Sequence, residues 1–389
     1  MLEEIYQSAA QLTDRVKEYR HTLHQIPEVG LELPQTLAYV SDCLMKLGLS
    51  PQKVGPCGLT VNLGQGEKTI LLRADMDALG VPEETDLPFR STNGCMHACG
   101  HDMHTAILLG AAQVLKEHED KLKCRVKLMF QPGEELGTGA VSMIEDGVLE
   151  NPHVDAAAAL HVDPLLPVGE CAYCTGVSTS SIYDLFIHIK GKGGHSSTPE
   201  ETVNALAVGS AIYQELSGLV QREVSGFDTA VLAMCAIKAG SLPQPNIIPE
   251  TCEMSGTLRC YNGEVQERLH KRIAEIVEGV GRQYYAEARL ESLLTPFLTV
   301  DPTLARQLEP ALKAAFGADH VRHNNKPLAG SEDFGYVSQH VPTFFFWLGA
   351  GGPDRAPFHN PAFLADDEAM VQGLNAMVGI PFYWADYNA

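Results

Sequence analysis

The sequence predicts an α/β protein built on one mixed sheet, with a smaller βαββαβ domain inserted into it. Three observations carry this. Short apolar runs alternate with helical patterns over residues 1–179. From Ser181 the rhythm changes to strands over Ile182 to Ile189, Thr229 to Lys238, Glu250 to Cys260 and Ala288 to Leu294, with helices over Asn204 to Val224 and Glu264 to Tyr285. That order is ferredoxin-like. The first pattern then returns, with a helix over Pro302 to Phe316, an apolar strand over Thr343 to Leu348 and a closing helix over Asp366 to Met377. The expected organisation is therefore residues 1–179 and 295–389 as the two parts of one domain, with 180–294 inserted between them.

Ile5, Ala9, Leu12, Val16, Tyr19 and Leu23 recur at helical spacing, so the chain opens with an amphipathic helix that stops near Pro27. A second helix runs from Pro34 to Leu47, with Pro at its start and Gly48 at its end. Leu59 to Leu63 and Thr69 to Arg73 read as strands, and the latter runs straight into Ala74-Asp75-Met76-Asp77. Acids at a strand's carboxyl end mark a site in open α/β sheets, although a turn with solvated acids would look the same. Gly94-Cys95-Met96-His97-Ala98-Cys99-Gly100-His101-Asp102-Met103-His104 follows, before a helix over Ala106 to Lys116. Thiolate, imidazole and carboxylate side chains crowd this stretch, and all three bind zinc-like divalent ions.

The strand Arg125 to Phe130 leads into Gln131-Pro132-Gly133-Glu134-Glu135, and the alanine-rich strand Val154 to Leu160 ends in His161-Val162-Asp163. The strand Thr343 to Leu348 is followed by Pro357-Phe358-His359. Cys99, His101, Glu135, His161 and His359 thus form a set of metal-ligand types that follow strand ends on one side of one sheet. Five ligands exceed the three that hold a single catalytic zinc, so two ions sharing a bridging group fit better. In the Glu134-Glu135 pair, adjacent side chains on an extended backbone point to opposite sides. One can bind metal while its neighbour moves the proton of a metal-activated water. Ser331-Glu332-Asp333 reads as the N-cap and first turn of a helix. Cys171-Ala172-Tyr173-Cys174 has CxxC spacing but no second ligand pair, and reads as structural.

The stretches Leu23-His24-Gln25-Ile26-Pro27-Glu28, Arg73-Ala74-Asp75-Met76-Asp77-Ala78-Leu79, Met96-His97-Ala98-Cys99-Gly100-His101-Asp102, Gln131-Pro132-Gly133-Glu134-Glu135 and Ser331-Glu332-Asp333-Phe334 resemble, in this order, the amidohydrolase branch of the aminoacylase and carboxypeptidase metallohydrolases. Hippurate hydrolase, N-acyl-L-amino acid amidohydrolases, N-acetyldiaminopimelate deacetylase and auxin-conjugate hydrolases belong to that branch. The resemblance implies a di-metal aminopeptidase-like catalytic domain with an inserted lid that often dimerises. It implies Cys99, His101, Glu135, His161 and His359 as ligands of two divalent ions (Zn, Mn, Co or Ni), and Glu134 as the acid/base. His195, in Gly-Gly-His-Ser, is similar to a lid histidine that helps stabilise the oxyanion. Asn246 and Arg259 are similar to lid positions that approach the substrate, and an arginine fork suits a carboxylate. Gly80 stands where the branch usually has Pro, beside the pocket rather than on a ligand.

The expected reaction is hydrolysis of an N-acyl-L-amino acid of the N-acetyl or N-benzoyl type. A dipeptidase or metallocarboxypeptidase of the same fold is the alternative, and a non-catalytic metal-binding protein a third. The net charge of −21 argues against nucleic acid and anionic membranes as partners. Ten scattered cysteines form no disulfide framework, and Met1-Leu2-Glu3-Glu4 opens directly into a helix without a signal-peptide pattern, so a reducing cytoplasm is expected. A homodimer or higher homo-oligomer formed through the lid is the expected assembly.

Overall fold

The computed structural model describes residues 1–324 and 326–388. Two compact units emerge, one made of Met1–Ser178, Leu298–Pro327 and Glu332–Ala389, the other of Thr179–Phe297 and Leu328–Ser331.

The first unit is organised by an eight-stranded mixed sheet. Its centre is four parallel strands, in the order Arg125–Gln131, Thr69–Asp75, Ala156–Pro167 and Thr343–Gly351. These are the near-continuous apolar runs that a sheet buried on both faces requires. Every residue of Thr69–Asp75 is buried. Between two of the strands the sequence alternates volume: Ala158 and Ala159 lie in register with Phe344 and Phe345, so small side chains leave room for large ones. Antiparallel strands flank the core, Gly58–Leu63 against Arg125–Gln131 and Cys171–Tyr173 against Thr343–Gly351. Parallel alignment brings the carboxyl ends of the four central strands to one edge, where ligands of open α/β sheets bind.

Several element bounds in this unit differ from the sequence expectations, among them the closing helix, which is Met370–Asn388. The opening helix is two, Leu2–Gln11 and Thr13–His24, because Leu12 leaves helical geometry at φ −92°, ψ 1°. The helix expected from Ala106 begins at His101. The strand carrying His161 does not stop at Leu160 but runs to Pro167, held by pairing of Asp163 with Gly349 and Pro167 with Gly351. His161 is therefore mid-strand.

The second unit is a four-stranded antiparallel sheet in the order Ala230–Ala239, Thr251–Cys260, Ser181–Lys190, Glu287–Thr295. With helices Ala205–Ser217 and Gly263–Gln283 this gives the expected ferredoxin-like arrangement. Asn204 and Asn262 cap the two helices by accepting main-chain N–H bonds. The helix expected over 204–224 breaks at Gly218. One sheet face is buried: Leu185, Ile187 and Ile189 pack with Val208, Ile212, Leu269 and Ile273. A two-residue ribbon, Gly194–His195 against Ile247–Ile248, extends beyond the sheet. No helix among the described residues is long and apolar enough to cross a membrane.

Candidate metal centre

The ligand types converge through local devices written in the sequence. Gly100 is the N-cap of the helix His101–Glu117, with φ +85°. A Cβ there would sit 2.3 Å from Val162 Cγ2, so only glycine lets the Cys99 loop pass this close to the central strand. Gly139 is equally constrained, since a Cβ would lie 1.7 Å from the Pro132 carbonyl oxygen; this packs the glutamate loop tightly after its strand. His359 takes the left-handed region at φ +62°, rare for a residue with a side chain, and its N–H donates to the Ala98 carbonyl at 2.9 Å. Strain of that kind is tolerated where a site requires it.

Two trios result. The donor atoms of Cys99, His101 and His161 lie within 4.8 Å of one another, and so do those of Cys99, Glu135 and His359. Cys99 belongs to both. Its Sγ is 3.4 Å from His161 Nε2. Each buried imidazole is oriented from behind: His101 Nδ1 donates to the Asp77 carbonyl at 2.9 Å and His161 Nδ1 to the Val162 carbonyl at 2.7 Å, which turns both Nε2 atoms inward. His101 Nε2 and Glu135 Oε1 are buried and have no hydrogen-bond partner among the described residues. Buried polar atoms are rarely left this way unless something binds them. Thiolate, imidazole and carboxylate donors in these numbers fit a pair of divalent ions.

Asp75, His101 and His104 form another close group. His104 cannot be a ligand there. Its Nε2 accepts the Val162 N–H at 2.9 Å, which fixes the proton on Nδ1, and Nδ1 donates to Asp75 at 2.6 Å. His104 instead ties the Cys99 helix to the His161 strand.

The charges divide the two neighbouring glutamates. Burial, with Glu332, Glu135 and Asp333 close by, holds Glu134 well above the ordinary carboxylate range. Burial also opposes the charge of Glu135, but its hydrogen bond to His359 and the charge of His101 pull it below that range. Neighbouring acids pushed in opposite directions suit one proton carrier and one ligand. Burial, then Glu135, pushes the Cys99 thiol well up, and a bound cation would reverse this. Burial and the nearby His104 keep His161 neutral, as a ligand must be.

Several residues around the site had no role that the sequence disclosed. Asp77 accepts the Glu134 N–H at 3.0 Å and the Glu135 N–H at 3.1 Å, one on each carboxylate oxygen. Asp77→Asn turns one acceptor into a donor facing an N–H. Metal affinity should fall about 10–100-fold, measured by competition with a chromophoric chelator, and unchanged affinity would contradict this role. Glu332 and Asp333 are not helix caps. The helix that follows is only Gly335–Ser338 and has no side-chain cap, while both acids are buried against Arg73. Burial and Glu332 push Asp333 up to about 7.

His195, Asn246 and Arg259 lie in the second unit, whereas the five ligand types and Glu134 lie in the first. His195 is exposed, with Nδ1 bonded to the Ser197 hydroxyl at 2.7 Å. Ile247 faces it across the ribbon, and the preceding residue, Asn246, accepts the Ser196 N–H with its carbonyl at 3.0 Å. Arg259 donates to the Ala329 carbonyl at 3.3 Å.

A buried mixed sheet that brings two trios of metal-ligand types beside a glutamate suits a metallohydrolase centre. The chain belongs to peptidase family M20/M25/M40, whose model matches residues 71–381, and it is a hydrolase of that family. It is 34% identical over 361 residues to an N-acetyl-L-cysteine deacetylase of Bacillus subtilis, covering 91% of this chain and 84% of that one. An N-acetyldiaminopimelate deacetylase of Anoxybacillus flavithermus is 35% identical over 340 residues, covering 86% and 88%. Among solved structures, a Bacillus subtilis protein described as a dinuclear metal binding peptidase from the M20 family superposes with a TM-score of 0.78 at 28% identity, covering 97% of this chain and 99% of that one.

Proposed function

We propose that this protein hydrolyses the amide bond of N-acyl-L-amino acids, with acetyl as the favoured acyl group, releasing a carboxylate and a free amino acid. The observation that carries the reading is the sharing of Cys99 by two ligand trios, with Glu134 beside them. Relatives named as deacetylases support the substrate class.

Cys99, His101 and His161 would hold one divalent ion, and Cys99, Glu135 and His359 the other. When bound, the pair polarises the substrate carbonyl and lowers the pKa of a water. Glu134 takes the proton from the attacking water as the water oxygen bonds to the carbonyl carbon. It then delivers the proton to the nitrogen as the C–N bond breaks. His195 donates a hydrogen bond to the oxyanion, and Asn246 and Arg259 bind the amino acid's carboxylate. Residues 180–294 act as a lid. The test is a screen of N-acetyl, N-benzoyl and dipeptide substrates after chelation and readdition of zinc, manganese, cobalt or nickel. Metal-dependent release of acetate is expected. Full turnover by verified metal-free protein would sink the reading, and turnover of dipeptides alone would move it to a peptidase.

The lid carries an open edge. Ala230–Ala239 is an outer strand with Val231 and Ile237 exposed, and Phe227 and Leu242 protrude beside it. Exposed apolar edge strands are pairing surfaces, so we propose the homodimer contact here. His195→Ala should lower kcat by about 10²-fold without changing metal content. Mixing it with a metal-site variant separates two designs: recovered activity means a site shared across the dimer, and none in a proven heterodimer means a site complete in one chain. None of the ten cysteines forms a disulfide, which supports a reducing, cytoplasmic setting.

A further inference from the structure

Arg73, in the strand Thr69–Asp75, is fully buried, and its guanidinium donors all point at interior side chains. Nε donates to Gln131 at 2.9 Å, and Nη1 to Asp75 at 2.9 Å and Glu332 at 3.4 Å. Nη2 donates to Glu332 at 2.9 Å and Asp333 at 3.0 Å. An ion so deeply buried is costly unless its bonds are complete, and it is a weak way to gain stability. Its position says more. The Asp333 carboxylate is held by Arg73, by Gln131 Nε2 at 2.7 and 2.9 Å, and by the Ala140 N–H at 2.8 Å. With that side chain fixed, the Asp333 main-chain N–H donates to Glu134 Oε1 at 3.3 Å. Glu134 is thus held at both ends, its own N–H on Asp77 and its tip on Asp333.

The geometry points to Arg73 as a positioning residue for Glu134, acting through Asp333; this rests on the proton-transfer role of Glu134 given above. A glutamate tip on three rotatable bonds must be confined to meet the attacking water, and small misplacements are expensive in rate. Lysine cannot substitute. It keeps the charge but offers a point where four acceptors require a fork.

The experiment is a double-mutant cycle on the metal-loaded enzyme with Arg73→Lys, Glu134→Gln and both, reading kcat, KM, metal stoichiometry and Tm. Arg73→Lys should lower kcat about 10–100-fold with KM and metal content unchanged. In the Glu134→Gln background it should lower the residual kcat no further, because the group it positions is already disabled. An equal loss in both backgrounds, or loss of metal, would overturn the inference and leave Arg73 a structural residue. Asp333→Asn, nearly isosteric, runs the same cycle should Arg73→Lys fail to fold, with the same dependence expected and the same independence overturning it. Wild-type kcat in Glu134→Gln alone would show that the reading of Glu134 has failed, and this inference with it, before Arg73 is touched.

Discussion

Cys99→Ala should lose both ions, whereas variants of the other ligands lose one preferentially. Cys99 is the member common to the two trios of expected ligand types, so removing its thiolate should weaken both sites at once. His161→Ala should spare the ion on Glu135 and His359, and His359→Ala the ion on His101 and His161. Loss of about 4 kcal/mol of charge stabilisation corresponds to about a thousandfold in rate, so kcat/KM of Cys99→Ala should fall at least that far. Metal analysis beside steady-state kinetics decides it. A Cys99→Ala protein that keeps one full ion and binds it as tightly as wild type would show that the thiolate serves a single site.

Glu134→Gln should keep both ions and its substrate affinity while losing kcat by about 10²–10⁴-fold. The amide keeps the size of the side chain and can still accept the Asp333 N–H, but it cannot take a proton from water. Glu135→Gln removes the charge of the proposed ligand that faces His359 at 3.4 Å, so its metal content should fall first and activity with it. If Glu134→Gln lost metal while Glu135→Gln kept it and remained inactive, the two roles would be inverted. Full activity in Glu134→Gln would remove the proposed proton transfer altogether.

The α/β class and the ferredoxin-like insertion were legible because period and order are local signals: strand runs such as Thr69–Asp75 are continuously apolar, and the insertion repeats β-α-β-β-α-β. The ligand types were legible because Cys99 and His101 sit in one dense cluster and Glu135 and His359 follow strands. His161 was singled out as following a strand end, whereas its strand continues to Pro167 through cross-strand pairing that no local pattern announces. The supporting groups were hidden by the same limitation. Asp75 and Asp77 gave a site signal without roles, because what they bind, His104 and the Glu134–Glu135 amides, is remote in sequence. Glu332 and Asp333 looked like helix caps, and only the fold brings Arg73, more than 250 residues away, against them. Helix breaks at Leu12 and Gly218 are not marked by hydrophobic periodicity alone.

The most direct measurement is anomalous-difference diffraction from crystals of the wild-type enzyme grown with zinc or manganese. Two peaks are predicted, one against His101 and His161 and one against Glu135 and His359, both within bonding distance of the Cys99 sulfur, with Glu134 coordinating neither. A single peak, a pair not bridged by Cys99, or Glu134 bound directly as a ligand would contradict the account.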